Sequence, residues 1–286
     1  MADIPRLNGM IKCFEEGKTA MGAFCTPDVE AAVAASQAKY DSIIFEMEHN
    51  IWDIRALRDC LQYMLNRKQI ADKGSVAPNV TPLVRIPANG NEMNQFLAKQ
   101  ALDIGAYGII WPHVDTVEQA YNAVAACRYP RLKTAARYEP AGIRGDSPGT
   151  AARYWGIGNQ EYYKKADVWP LDPNGEILVG LMIEGVQAVE NLDAMLTKVP
   201  GIGFILIGEG DLSQELGFPR QYEHPVVLEH MARVVATCKK HNVPVGHPHV
   251  DGKNAERILG EGFRYLMTSA GRSYASLDKA RELAKR

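Results

Sequence analysis

The sequence predicts an α/β protein built as a (β/α)8 TIM barrel, with eight parallel strands and an extended insertion after the fourth. Three observations carry this. Short apolar runs alternate with amphipathic stretches along nearly the whole chain of 286 residues. Eight such units in about 250 residues match a closed barrel, and an open doubly wound sheet rarely needs eight so regular. Two of the runs end in acids: Glu184 closes ILVGLMIE (177–184), and Asp211 follows IGFILIG (202–208) in the phrase IGEGDLSQELG.

The strands expected, in order, are TAMGAFC (19–25), SIIFEME (42–48), TPLVRIP (81–87), YGIIWPHV (107–114), ILVGLMIE, IGFILIG, VPVGHPH (243–249) and YLMTSAG (265–271). They are short, apolar and rich in branched residues, as buried parallel strands are. Helical patterns follow them, among them DVEAAVAASQAK, DIRALRDCLQYMLNRK, TVEQAYNAVAACR and GKNAERILGEG, with Asp28, Asp53, Thr116 and Asp251 placed as N-caps. Residues 66–80 read as a surface excursion. Residues 128–176 form the insertion, rich in Arg, Tyr, Trp and Gly. Because it comes after strand four, it is expected over or beside the active face, where it would shape a substrate pocket or join subunits. Residues 1–286 are read as one barrel domain.

Composition narrows the function. With 46% apolar residues the chain can bury a full core, and a net charge of −2 gives no basic field for nucleic acid. No run has the ~20 apolar residues of a membrane span, and the first residues lack a signal-peptide core. The five cysteines are scattered without a CxxC, which suggests reduced thiols and a cytoplasmic setting.

Consecutive parallel strands lie about 5 Å apart, so Glu184 and Asp211 should meet at the carboxyl edge of the sheet, where α/β folds place their chemistry. Two acids with few other protein ligands suit a hard divalent ion that keeps positions open for water and substrate. The competing reading is that each acid caps the following helix. FEMEHN (45–50) ends strand two with Glu46 and Glu48 on one face and Met47 and His49 on the other. Arg85 ends strand three; a buried arginine needs an anion, either a carboxylate or a developing oxyanion. Asp103 ends a helix against the macrodipole and so calls for a cationic or imidazole partner. The glycine-rich GEG (208–210) leaves the backbone N–H groups of Gly210 and Asp211 at a helix start, suited to a small carboxylate. His247 and His249 form an H-x-H pair for which loop packing is favoured over a two-histidine metal site. No expected strand contains the lysine that Schiff-base chemistry requires.

Together, the phrases EMEHN, PLVRIPANG, ALDIGAYGIIWPHVDTVEQA, RYEPAGIRG, MIEGVQAVENLDAML, VPGIGFILIGEGDLSQELG and EHPVV resemble the HpcH/HpaI family of metal-dependent, class II pyruvate aldolases, such as 4-hydroxy-2-oxoheptanedioate aldolase. The resemblance runs from about residue 18 to 272. It implies a divalent cofactor, Mg2+ or Mn2+ with Co2+ or Zn2+ as substitutes, held by Glu184 and Asp211. It further implies that His49 works with water on the metal, supported by Asp103, that Arg85 faces the keto oxygen, and that Glu46, Gly208, Gly210 and Asp211 bind substrate. The partners implied are a small 2-oxo acid and an aldehyde, with no nucleic acid or membrane, in a homo-oligomer, a hexamer or trimer of dimers, with the last helix exchanged. Two positions depart from the family pattern: Glu46 stands where Asp is usual, and GEGD replaces GPAD or GPND, so Glu209 is expected to add negative charge beside the substrate. The reaction expected is reversible cleavage of a 4-hydroxy-2-oxo acid to pyruvate and an aldehyde. The alternative within the superfamily is a CoA-thioester lyase, although GHPHVDGK matches that element poorly. The alternative of another class is a binding protein that kept the metal site and lost turnover.

Overall fold

The computed structural model describes residues 5–87, 90–268 and 277–286. Its strands are β1 (Ala20–Cys25), β2 (Ser42–Glu46), β3 (Thr81–Arg85), β4 (Gly108–Trp111), β5 (Val168–Trp169), β6 (Ile177–Ile183), β7 (Phe204–Ile207), β8 (Val245–His247) and β9 (Tyr265–Thr268). All pairings are parallel. β4 pairs with β6 and β9 with β1, so eight strands close in the order β1–β2–β3–β4–β6–β7–β8–β9. The barrel expected from the alternating runs is thus the fold. Every residue of β3, β4, β6 and β7 is buried, because one face fills the barrel and the other lies under helices. No helix among the described residues is long and apolar enough to cross a membrane.

Register sets the functional edge. Glu46 pairs with Arg85 across β2 and β3, and Arg85 with Ile110 across β3 and β4. Ile183 pairs with Ile207, so Glu184 and Gly208 leave β6 and β7 at the same level. Asp28, Asp53 and Thr116 cap their helices as the sequence indicates, Thr116 in a reciprocal capping box with Gln119.

The structure departs from expectation in several places. The strands are shorter than the apolar runs, because the flanking residues already turn toward loops. β9 ends at Thr268, and residues 269–271 of the expected last strand lie outside the described residues. The helix Ala255–Glu261 starts after Asn254, and Asp251 instead accepts from the Lys253 and Asn254 amides in a turn ahead of it. Residues 66–80 contain the helix Arg67–Lys73, capped by Asn66. A first helix, Gly9–Glu15, buries Met10 and Ile11 completely. Its Gly9 amide donates to Thr81 at the start of β3, so this helix sits at the amino end of the barrel.

The segment 128–176 corrects the expectation most. It carries the helices Gly149–Trp155 and Asn159–Lys165 and the two-residue strand β5. It packs at the amino end, opposite the functional edge. Trp155 stacks on Tyr107 at 4.5 Å and donates to the Gly105 carbonyl, both just before β4. β5 pairs with the first residues of β6, and Glu176 accepts from the Leu7 and Asn8 amides. Within one chain this segment does not shape the mouth of the barrel. The reason is connectivity: the helix Val117–Ala126 follows β4 and carries the chain back down before residue 128.

Candidate active site

The carboxyl edge gathers acids, imidazoles and Arg85. Arg85 is almost fully buried and donates through Nη2 to Glu46 Oε2. Its Nη1 lies 2.8 Å from Glu48 Oε2 and 3.6 Å from Met182 Sδ, and its guanidinium lies over the Phe24 ring. The Nε of Arg85 is buried without a hydrogen-bond partner. Glu46 turns its other oxygen back to accept from the Glu48 and His49 amides, closing the turn after β2. His49 points outward, with a 68% exposed side chain whose Nε2 lies 3.6 Å from Glu48 Oε2.

Glu184 is 2% exposed and accepts from the His113 amide at 2.7 Å. The His113 ring also faces this point, with Nε2 3.7 Å from Glu48 Oε1 and 3.9 Å from Glu184 Oε1. Among the described residues, Glu48, His113 and Glu184 are the one group of three whose ligand atoms all lie within 4.8 Å of one another. The sequence reading saw Glu48 as one of two strand-end acids without assigning it to the site, and it passed over His113. The available signal for His113 was a histidine closing the fourth apolar run.

Gly208 makes room for Glu184. A Cβ there would come within 2.1 Å of Glu184 Oε2. Gly208→Ala is therefore expected to push the carboxylate aside and weaken divalent-ion binding by at least about tenfold, as loss of ligand orientation does. Calorimetric titration checks this, and unchanged affinity would remove Gly208 from the site. Asp211 lies in the first turn of the helix Glu209–Glu215 with its side chain exposed, near enough to raise the Glu184 pKa by repulsion.

Glu209 is engaged by two histidines. It is buried and bonded to His249, with its other oxygen 3.6 Å from His247 Nε2. The H-x-H pair is thus packed onto Glu209, with the His249 amide donating to His247 Nδ1. Asp103 lies elsewhere. At the end of the helix Gln95–Asp103, just ahead of β4, it is held by the buried Arg144 at 2.9 Å. Its cationic partner is there as the macrodipole argument requires. No ion pair or hydrogen bond joins it to His49 among the described residues, so one chain does not bring the two together.

Burial pushes the carboxyl of Glu184 up to about 7, with Asp211 adding repulsion against the His113 amide bond. Burial likewise pushes Glu48 up to about 7, with Arg85 opposing and Glu184 reinforcing. Between the ordinary value of 4.5 and about 7, the metal-free fold holds protons that the unfolded chain has lost. These two groups therefore make the metal-free fold less stable as pH rises through that window. A divalent cation bound between these acids would take the place of the protons. The rise in Tm on adding Mg2+ or Mn2+ is expected to be larger at pH 8 than at pH 6. An equal or smaller rise at pH 8 would contradict this assignment of the buried acids.

A parallel barrel with acids, imidazoles and an arginine at its carboxyl edge has the frame of an enzyme. The chain belongs to the HpcH/HpaI aldolase/citrate lyase family, whose model matches residues 26–274. A 2-keto-3-deoxy-L-rhamnonate aldolase from Klebsiella pneumoniae subsp. pneumoniae is 32% identical over 253 residues, covering 87% of this chain and 82% of that protein. A hydroxypyruvate/pyruvate aldolase from Roseobacter denitrificans is 27% identical over 261 residues, covering 91% and 90%. The crystal structure of an HpcH/HpaI aldolase/citrate lyase family protein from Burkholderia cenocepacia superposes with a TM-score of 0.75 at 25% identity, over 97% of this chain and 98% of that one. The chain is an enzyme of the carbon–carbon lyase class, of the aldolase type.

Proposed function

We propose that this enzyme is a metal-dependent pyruvate aldolase that reversibly cleaves a 4-hydroxy-2-oxo acid to pyruvate and an aldehyde. The observation that carries the reading is the convergence of Glu48 and Glu184, both largely buried, with an imidazole and the nearby Asp211 at the carboxyl edge. Such a set fits a divalent ion: two acids driven toward neutrality by burial become ionised when a cation neutralises them. Glu184 and Asp211 would hold the ion, Mg2+ or Mn2+. The bound ion supplies Lewis-acid polarisation of the substrate's 2-oxo group.

The chain's own residues account for the rest. Cleavage removes the proton of the 4-hydroxyl, and His49, with its Nε2 3.6 Å from Glu48, is the base assigned to take it. The O–H electrons form the new aldehyde carbonyl, and the C3–C4 pair moves into the enolate of pyruvate. Negative charge grows on the C2 oxygen. Arg85 is the cation that would meet it, its guanidinium held in place by Glu46 and Glu48. The Gly210 and Asp211 amides, at the start of a helix, suit the pyruvate carboxylate. Protonation of C3 then completes pyruvate.

The test is cleavage of 4-hydroxy-2-oxo acids, followed by pyruvate release. Activity should vanish on exhaustive chelation and return with Mg2+ or Mn2+. Activity that survives chelation, or a borohydride-trapped lysine adduct, would overturn the reading.

A further inference from the structure

We propose that His113 is a nitrogen ligand of the metal centre and biases that centre toward borderline transition ions, such as Co2+ and Zn2+, over Mg2+. The inference rests on the metal-dependent reading above. That reading counts the His113 imidazole among the groups at the edge but names only Glu184 and Asp211 as ligands.

The backbone is arranged to present this ring. His113 follows β4 with a φ of 49°, a left-handed conformation uncommon for a residue with a side chain. Such conformations persist where their surroundings enforce them, and they gather at functional sites. Here the amide donates to Glu184 Oε1 at 2.7 Å and the carbonyl accepts from the Gly90 amide at 3.2 Å. Gly90 is needed for this approach, since a Cβ there would lie 2.6 Å from the His113 carbonyl oxygen. The result is that one residue turns both its N–H and its ring toward the same carboxylate.

The separations are those of donors around an ion. Nε2 lies 3.7 Å from Glu48 Oε1 and 3.9 Å from Glu184 Oε1, too long for hydrogen bonds. Donors held about 2.1 Å from a common cation sit roughly 3–4 Å from each other. The oxygens are also divided by role. Glu48 gives Oε2 to the Arg85 and His49 side, leaving Oε1 toward His113. An imidazole in an otherwise carboxylate set favours the softer divalent ions, because Mg2+ prefers oxygen.

The direct test is pulsed EPR of the Mn2+-loaded protein, which reports nitrogen bound to the ion without reference to turnover. Wild type should show a directly bound nitrogen, and growth on nitrogen-15 histidine should change its signature. His113→Ala should lose the signal, whereas His49→Ala should keep it. By calorimetry, His113→Ala should weaken Co2+ binding by about tenfold or more while Mg2+ affinity stays within about twofold. Metal binding with no histidine nitrogen, a signal that survives His113→Ala, or equal losses for the two ions would each overturn the proposal. The isotope-labelled wild-type measurement decides the matter even if His113→Ala does not fold. Wild type that binds no divalent ion would instead fail the metal-dependent reading itself, and this inference with it.

Discussion

Glu184→Gln is expected to abolish activity, lowering pyruvate enolisation by about a thousandfold or more, the scale of several kcal/mol of lost charge stabilisation. The substitution is nearly isosteric. Gln can still accept from the His113 amide, so the turn after β4 and the fold should persist. What it removes is the buried charge at the centre of the site. Calorimetry should show loss of divalent-ion binding in a protein with an unchanged circular dichroism spectrum. Retention of tight binding would move the metal away from Glu184.

Arg85→Lys should lower turnover by about a hundred- to a thousandfold, the cost of one oxyanion donor, while metal affinity stays near that of wild type. Lys keeps the charge beside Glu46 and Glu48 but loses the planar fork. The native site engages the two acids with separate nitrogens of the planar fork, a spacing that the single nitrogen of an ammonium does not reproduce. Single-turnover cleavage separates this from a binding defect. Near-normal turnover would remove Arg85 from the chemistry.

The barrel was legible because its strands are buried on both faces and read as continuous apolar runs. Glu46, Arg85 and Glu184 were legible for a related reason: a charged residue closing such a run has few places to go except the functional edge. The first helix was not legible, because Gly9–Glu15 is too short to show a clear period. Counting from strand four puts the segment 128–176 over or beside the active face, whereas TVEQAYNAVAACR intervenes and carries the chain back down. Segments that follow a barrel helix return at the amino end, and those that follow a strand open at the carboxyl end. His113 and Glu209 depend on geometry that spacing does not encode. A left-handed turn aims the first at Glu184, and the second is buried against two histidines. Asp103 was correctly expected to find a cation, but the identity of that cation, Arg144, depended on how the segment 128–176 folds back.

The most direct measurement is exchange of the methyl protons of pyruvate in deuterated water, followed by proton NMR. It requires no knowledge of the aldehyde and reads only enolisation at the carboxyl edge. The account predicts exchange that is catalysed by the protein with Mg2+, Mn2+ or Co2+, is lost on chelation, and is absent in Glu184→Gln. Exchange that continues without a divalent ion, or no exchange in the metal-loaded wild type, would contradict it.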